Sequence, residues 1–188
     1  MKIPACLFAL ALVVATHAAE EATPEAIAKR QLEAMRELDW KKVALYTHPK
    51  ALEQMKALFL PVAKAGEAAS ENPAAAEMMR VVFGGKNADD LASQSPAAFF
   101  EIVMNGISGA TPDFKTAMSG MEVQILGHIN ETDDLTHVVY RLNRSVTGGI
   151  ATKIAVTSVE RDGTAWKALL NADLENVARA ISARLQAP

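Results

Sequence analysis

The side chains that could do acid–base or ligand chemistry in this chain are few, and no two of the candidates form a recognisable catalytic spacing. His48 stands just before Pro49, and a histidine at a pocket mouth titrates in the range a general base needs. Its ordinary alternative is a helix-terminal residue capping a carbonyl. Asp113, in Thr111-Pro112-Asp113, is the carboxylate alternative as base; a carboxylate favoured at the positive end of a helix explains it equally. No catalytic residue is assigned beyond these two candidates. Tyr46, Tyr140 and Trp166 each combine an apolar ring with a polar tip, which suits them to line a pocket and orient a ligand; as core aromatics they would be equally at home. His128 and His137 would need further ligands at short range to hold a metal. The sequence supplies no such cluster, so no metal and no cofactor is expected. Gly84-Gly85-Lys86 lacks the spacing of a phosphate loop, and no nucleophile elbow or zinc-protease helix is present.

These candidates must be positioned by a fold that reads as α+β. Thr23-Pro24-Glu25 opens a helix, with Thr23 as cap, proline in the first position and glutamate at the positive end. Ile27, Leu32, Met35 and Leu38 follow a helical stripe. Asp39 caps a restart at Trp40, and His48-Pro49 breaks it. A third helix starts at Pro49, with Leu52, Met55, Leu58, Phe59 and Val62 on one side. Residues 64–75 read as a loop or weak helix. A helix over 74–83 stops at Gly84-Gly85, another opens at Ser95-Pro96, and a short one follows Thr111-Pro112-Asp113.

From residue 121 the period changes to two. Strands are expected at about 121–129, 134–147, 150–161 and 164–171, with hairpin turns at Gly148-Gly149 and Asp162-Gly163. A last helix over 173–185 carries Leu174, Val177, Ile181 and Leu185 on its inner stripe. Alternation along tight hairpins collects Met121, Val123, Ile125, Val138, Tyr140, Leu142, Ala155, Thr157, Val159, Trp166, Ala168 and Leu170 on one, inner face. The other face is mixed and holds His128, His137, Val139, Ile154, Val156 and Leu169. The same register sets Glu122 opposite Arg141 and His137 opposite Glu160. The apolar content of the outer face points to an interface, met either by self-association or by the last helix.

The order of helices followed by a long antiparallel meander resembles the nuclear transport factor 2-like (SnoaL-like, cystatin-like) superfamily. The resemblance is carried by Leu38-Asp39-Trp40, Tyr46-Thr47-His48-Pro49, Leu126-Gly127-His128, Val138-Val139-Tyr140-Arg141 and, above all, Glu160-Arg161-Asp162-Gly163-Thr164-Ala165-Trp166-Lys167. It covers about residues 24–60 and 112–172. It implies N-terminal helices packed on a curved sheet of about four strands, a small-molecule pocket between them, and a homodimer through the outer sheet face. It implies no single chemistry, because such a scaffold hosts isomerases, dehydratases and binding proteins alike. Residues 66–110, helical where members usually carry a short strand or hairpin, and the helix after the last strand both depart from the pattern.

The N-terminus sets the expected address. Lys2, an uninterrupted apolar run over residues 7–15 and small residues at 16–19 are the parts of a cleavable secretory signal. The run is shorter than the roughly 20 residues a spanning helix needs. Cys6, the sole cysteine, lies before the apolar run, so neither a lipid anchor nor a disulfide is expected in the mature chain. Residues 1–19 hold one of the 19 basic residues, Lys2, and no acid, leaving 18 basic against 22 acidic. That mild negative balance gives no footprint for nucleic acid. The expectation is a single domain over residues 20–188, periplasmic or secreted: a non-catalytic small-molecule-binding or accessory protein for an apolar ligand. The alternatives are an isomerase or hydrolyase on the same scaffold, and an interaction protein with a filled core.

Overall fold

The computed structural model describes residues 23–146, 149–170 and 173–185. The expected secretory signal lies outside them, as does Gly148 of the expected Gly148-Gly149 turn. The chain is α+β. Among the described residues seven helices come first: α1 (Pro24–Arg36), α2 (Trp40–Tyr46), α3 (Pro49–Ala68), α4 (Pro73–Val82), α5 (Ala88–Ser93), α6 (Pro96–Ala110) and α7 (Phe114–Ser119). A curved antiparallel sheet follows in the order β1-β2-β3-β4, built from β1 (Met121–Asn130), β2 (Leu135–Val146), β3 (Gly149–Asp162) and β4 (Ala165–Ala168). Helix α8 (Asp173–Leu185) closes the described chain.

Local chemistry sets the helix starts. In α1, α3, α4 and α6 a proline occupies the first turn, where its missing N–H costs nothing, behind a capping Thr23, His48, Asn72 or Ser95. Asp39 caps α2 by accepting from the Lys42 amide at 3.0 Å. The segment 64–75, expected as loop or weak helix, is helical to Ala68, turns over residues 69–72 and is helical again from Pro73. Helix α5 has no counterpart in the periodicity. Its six residues are too short to show one, and the signals that mark it are the Asn87 cap and the acidic first turn of Asp89 and Asp90. Leu38 falls beyond α1, at φ 57°, in the turn to α2.

Two apolar clusters form. The larger lies among the helices and includes Trp40, Met55, Phe59, Phe83, Leu91, Phe99, Phe100 and Val103. Trp40 meets Phe100 edge-on at 6.4 Å and 72°. The smaller, of Ile27, Ala28, Val138, Val159, Trp166 and Ala168, lies between α1 and the sheet. Val177, Ala178 and Ile181 of α8 pack on the helical cluster. The last helix therefore does not cover the outer sheet face.

The expected faces hold for β2, β3 and β4, where Val138, Tyr140, Val159, Trp166 and Ala168 are buried. The cross-strand partners differ. Arg141 pairs with Gln124 rather than Glu122, and its guanidinium donates to the Gln124 Oε1 at 3.0 Å. His137 pairs with Ser158 rather than Glu160. Both slips are of two residues, so the faces survive while the partners change. On β1 the face itself changes. A bulge between Ile125 and Gly127 inserts one residue, with Gly127 at φ 149°. Beyond it His128 lies opposite Val138 and Asn130 opposite Thr136, on the inner face. His128 was expected on the outer one.

Candidate functional site

Helices α1, α2 and α6 stand off the sheet far enough to leave a cavity of about 530 Å³. Leu32 and Met35 reach it from α1, Trp40 and Val43 from α2, and Phe100 and Met104 from α6. Tyr140, Val156, Thr157 and Ser158 form the sheet side, and Leu169-Leu170 complete the lining. Residues 66–110, which could have filled this space, contribute Phe100 and Met104 to its wall and leave it open.

Few polar groups face this apolar lining. Gln31 is buried, and its Nε2 donates to the Thr47 hydroxyl at 3.0 Å; that hydroxyl in turn donates to the Val43 carbonyl at 2.8 Å. The chain of bonds fixes the Gln31 amide at the cavity wall. Tyr140 is 7% exposed, and among the described residues its hydroxyl has no hydrogen-bond partner. Every fully buried side-chain polar atom does have one among those residues, so the Tyr140 hydroxyl opens on accessible space. Burial pushes its pKa up, which keeps it a protonated donor. A group of this kind can hold an acceptor on an otherwise apolar molecule.

The other expected site residues lie elsewhere. Trp166 is buried in the smaller cluster and lines a second, polar cleft of about 370 Å³, with Thr23, His128, Asn130, Thr136 and Arg161 around it. The Arg161 guanidinium stacks on the Trp166 ring at 4.5 Å. Tyr140 and Trp166 share the inner sheet face but not a cavity. Tyr46 ends α2, packs against both apolar clusters and lines neither space. His48 does cap a helix, but at its start: Nδ1 accepts from the Lys50 amide at 3.1 Å, where a capped carbonyl was expected. Asp113 is exposed, sits at φ 60° in the left-handed region, and makes no cap bond. His48 and Asp113 line neither space.

On the inner face the bulge brings the His128 ring against the Glu25 carboxylate of α1. Burial works against the charge on Glu25. Its own backbone amide, the His128 ring and Thr23 outweigh that and hold its carboxyl below its ordinary value. His137, on the outer face, is held between the Ser158 hydroxyl at 2.9 Å and Glu131 at 2.6 Å. Among the described residues no group of three His, Cys, Asp or Glu is placed to hold a metal ion. A wider hollow of about 760 Å³ lies between α4 and α6, but Glu77 and Arg80 on its rim pair with each other.

The sequence reading placed Thr157 on the inner face but had no signal for Gln31 as a wall residue. The Glu25–His128 contact did have one: a glycine inside a strand, Gly127, marks a bulge that turns the next side chain over. Compared with protein-family models, with curated proteins and with solved structures, the chain finds no match.

Proposed function

We propose that this chain is an exported, non-catalytic small-molecule-binding or accessory protein, and that its ligand occupies the cavity walled by α1, α2, α6 and Tyr140. The observation that carries this reading is the pairing of a 530 Å³ apolar space with a buried, protonated tyrosine hydroxyl that has no partner among the described residues. The lining favours a molecule with an apolar body and one hydrogen-bond acceptor. The residues that line it include no histidine, carboxylate or lysine, which supports binding over acid–base chemistry in that cavity. Helices followed by a curved antiparallel meander support placing the chain in the nuclear transport factor 2-like superfamily that it resembles. Lys2, the apolar run over residues 7–15 and the small residues after it support export to the periplasm or beyond. Among the described residues no helix is long and apolar enough to cross a membrane.

Native mass spectrometry of the mature protein, purified gently from a periplasmic extract, tests this reading. The expected spectrum carries a small adduct of defined mass. Tyr140→Phe should weaken retention of that adduct by up to about tenfold, the worth of one hydrogen bond, while leaving thermal stability nearly unchanged. Met104→Trp, which fills the cavity, should abolish it. A clean apo mass, with no uptake of medium-chain fatty acids or alcohols on titration, would defeat the proposal.

A further inference from the structure

The polar cleft of about 370 Å³ beside Trp166 draws on every strand: His128 and Asn130 from β1, Thr136 from β2, Arg161 from β3 and Trp166 from β4. Three of its polar side chains are fixed from behind, each by a different partner. The Arg161 guanidinium stacks on the Trp166 ring at 4.5 Å, and its Nη1 donates to the Thr164 carbonyl at 3.4 Å. The Asn130 Oδ1 accepts from the buried Thr136 hydroxyl at 2.9 Å. The Glu25 carboxylate takes the His128 Nδ1.

These tethers decide what each group offers the cleft. An amide whose oxygen accepts keeps its N–H groups as donors, and among the described residues the Asn130 Nδ2 has no partner. A carboxylate on Nδ1 keeps the ring proton there, so the Nε2 of a neutral His128 is an acceptor. A guanidinium stacked on a ring face offers its edge to a planar anion. Two fixed donors and one fixed acceptor therefore converge on a space of the size that holds a small molecule. Charge limits the occupant. Among the described residues that line the cleft Arg161 is the only fixed cation, and Asp133 brings a carboxylate. A second negative charge on the ligand would face Asp133 with no second fixed cation to hold it.

We propose that this cleft binds a small α-hydroxy monocarboxylate, its carboxylate held by Arg161 and the Asn130 amide and its hydroxyl donating to the His128 Nε2. Trp166, Thr136 and Glu25 act as positioning residues, each holding one of the three groups that touch the ligand. The cleft and the Tyr140 cavity share no lining residue, so this site is independent of the apolar ligand proposed for that cavity.

Titration of the mature protein with lactate, propionate and inorganic phosphate, read residue by residue in NMR spectra, decides it. Lactate should give saturable shifts at the His128 ring, the Asn130 side-chain amide and Arg161. It should bind about fivefold more tightly than propionate, which lacks only the hydroxyl, and more tightly than phosphate. Asn130→Asp keeps an acceptor for Thr136 but sets a carboxylate where the donor was, and should weaken lactate about tenfold or more. Met104→Trp, which fills the other cavity, should leave lactate binding unchanged. No saturable shift up to about 10 mM lactate overturns the proposal, as do shifts that gather around Tyr140 instead. Propionate or phosphate binding as tightly as lactate overturns it too, and so does an Asn130→Asp protein that binds lactate like wild type. The wild-type shift pattern needs no variant, and it decides the question even where a variant fails to fold.

Discussion

Trp166 shows how the same residue type can belong to a core or a site according to its neighbours. It is 8% exposed and packs with Ile27, Ala28, Val138, Val159 and Ala168, while the Arg161 guanidinium covers its open side. Trp166→Ala should therefore destabilise by about 3–5 kcal/mol, the range for deleting a buried large aromatic, read as a lower denaturant midpoint. Because Trp166 lies outside the Tyr140 cavity, the variant should keep whatever small molecule the cavity holds. A neutral result in the titration would remove Trp166 from the core. Alternation along the strands was enough to put Tyr140 and Trp166 on one face. It could not tell that the two rings serve different spaces, because that depends on where α1 crosses the sheet.

Between elements, packing depends on contacts that side-chain patterns do not display. Helices α4 and α6 approach so closely at Gly106 that a Cβ there would stand 2.2 Å from the Val82 carbonyl oxygen and 2.6 Å from that of Val81. Backbone cannot move aside as a side chain can. Gly66 in α3 offers the comparison, since its added Cβ would meet the flexible ends of Met78 and Met79. Gly106→Ala should cost about 1–3 kcal/mol by overpacking. Gly66→Ala should cost distinctly less, because the Met78 and Met79 ends can move aside, while alanine's helix preference helps equally at both positions. Equal midpoints in paired thermal melts would show that α4 and α6 can separate without loss. The same contrast explains what was legible in the sequence. Helix starts were readable from Thr23-Pro24, Asp39-Trp40 and Ser95-Pro96 because capping is local chemistry. The strand limits were readable to within one residue, except that β4 ends at Ala168 rather than near residue 171. The partners of Arg141 and His137 were not, since a two-residue slip preserves both faces. The inward turn of His128 went unread too, although Gly127 inside the strand marked the bulge that decides it.

At the scale of the molecule, α1 joins the two apolar clusters: Ile27 and Ala28 belong to the one against the sheet, Ala34 to the one among the helices, and Tyr46 packs against both. Polar side-chain contacts reinforce the joint, Glu25 with His128 where α1 meets β1 and Lys50 with Glu160 where α3 meets β3. The first of these makes the docking of helices on sheet sensitive to acid. The folded state holds the Glu25 carboxyl below its ordinary value, so the folded protein releases that proton more readily than the unfolded chain does. The stability this contributes is complete above the unfolded carboxylate pKa of about 4.3 and is lost as pH falls through the lowered folded value. Glu25→Gln removes the charge at every pH. The stability gap between wild type and Glu25→Gln should thus close progressively as pH falls below about 4. Both partners are partly exposed, so the gap should be small and should shrink in salt. Urea titrations of the two proteins across that range provide the check. A gap that persisted unchanged in acid would mean that Glu25 holds α1 on the sheet by packing and neutral hydrogen bonding rather than by charge, and helix docking would then be indifferent to pH at this joint.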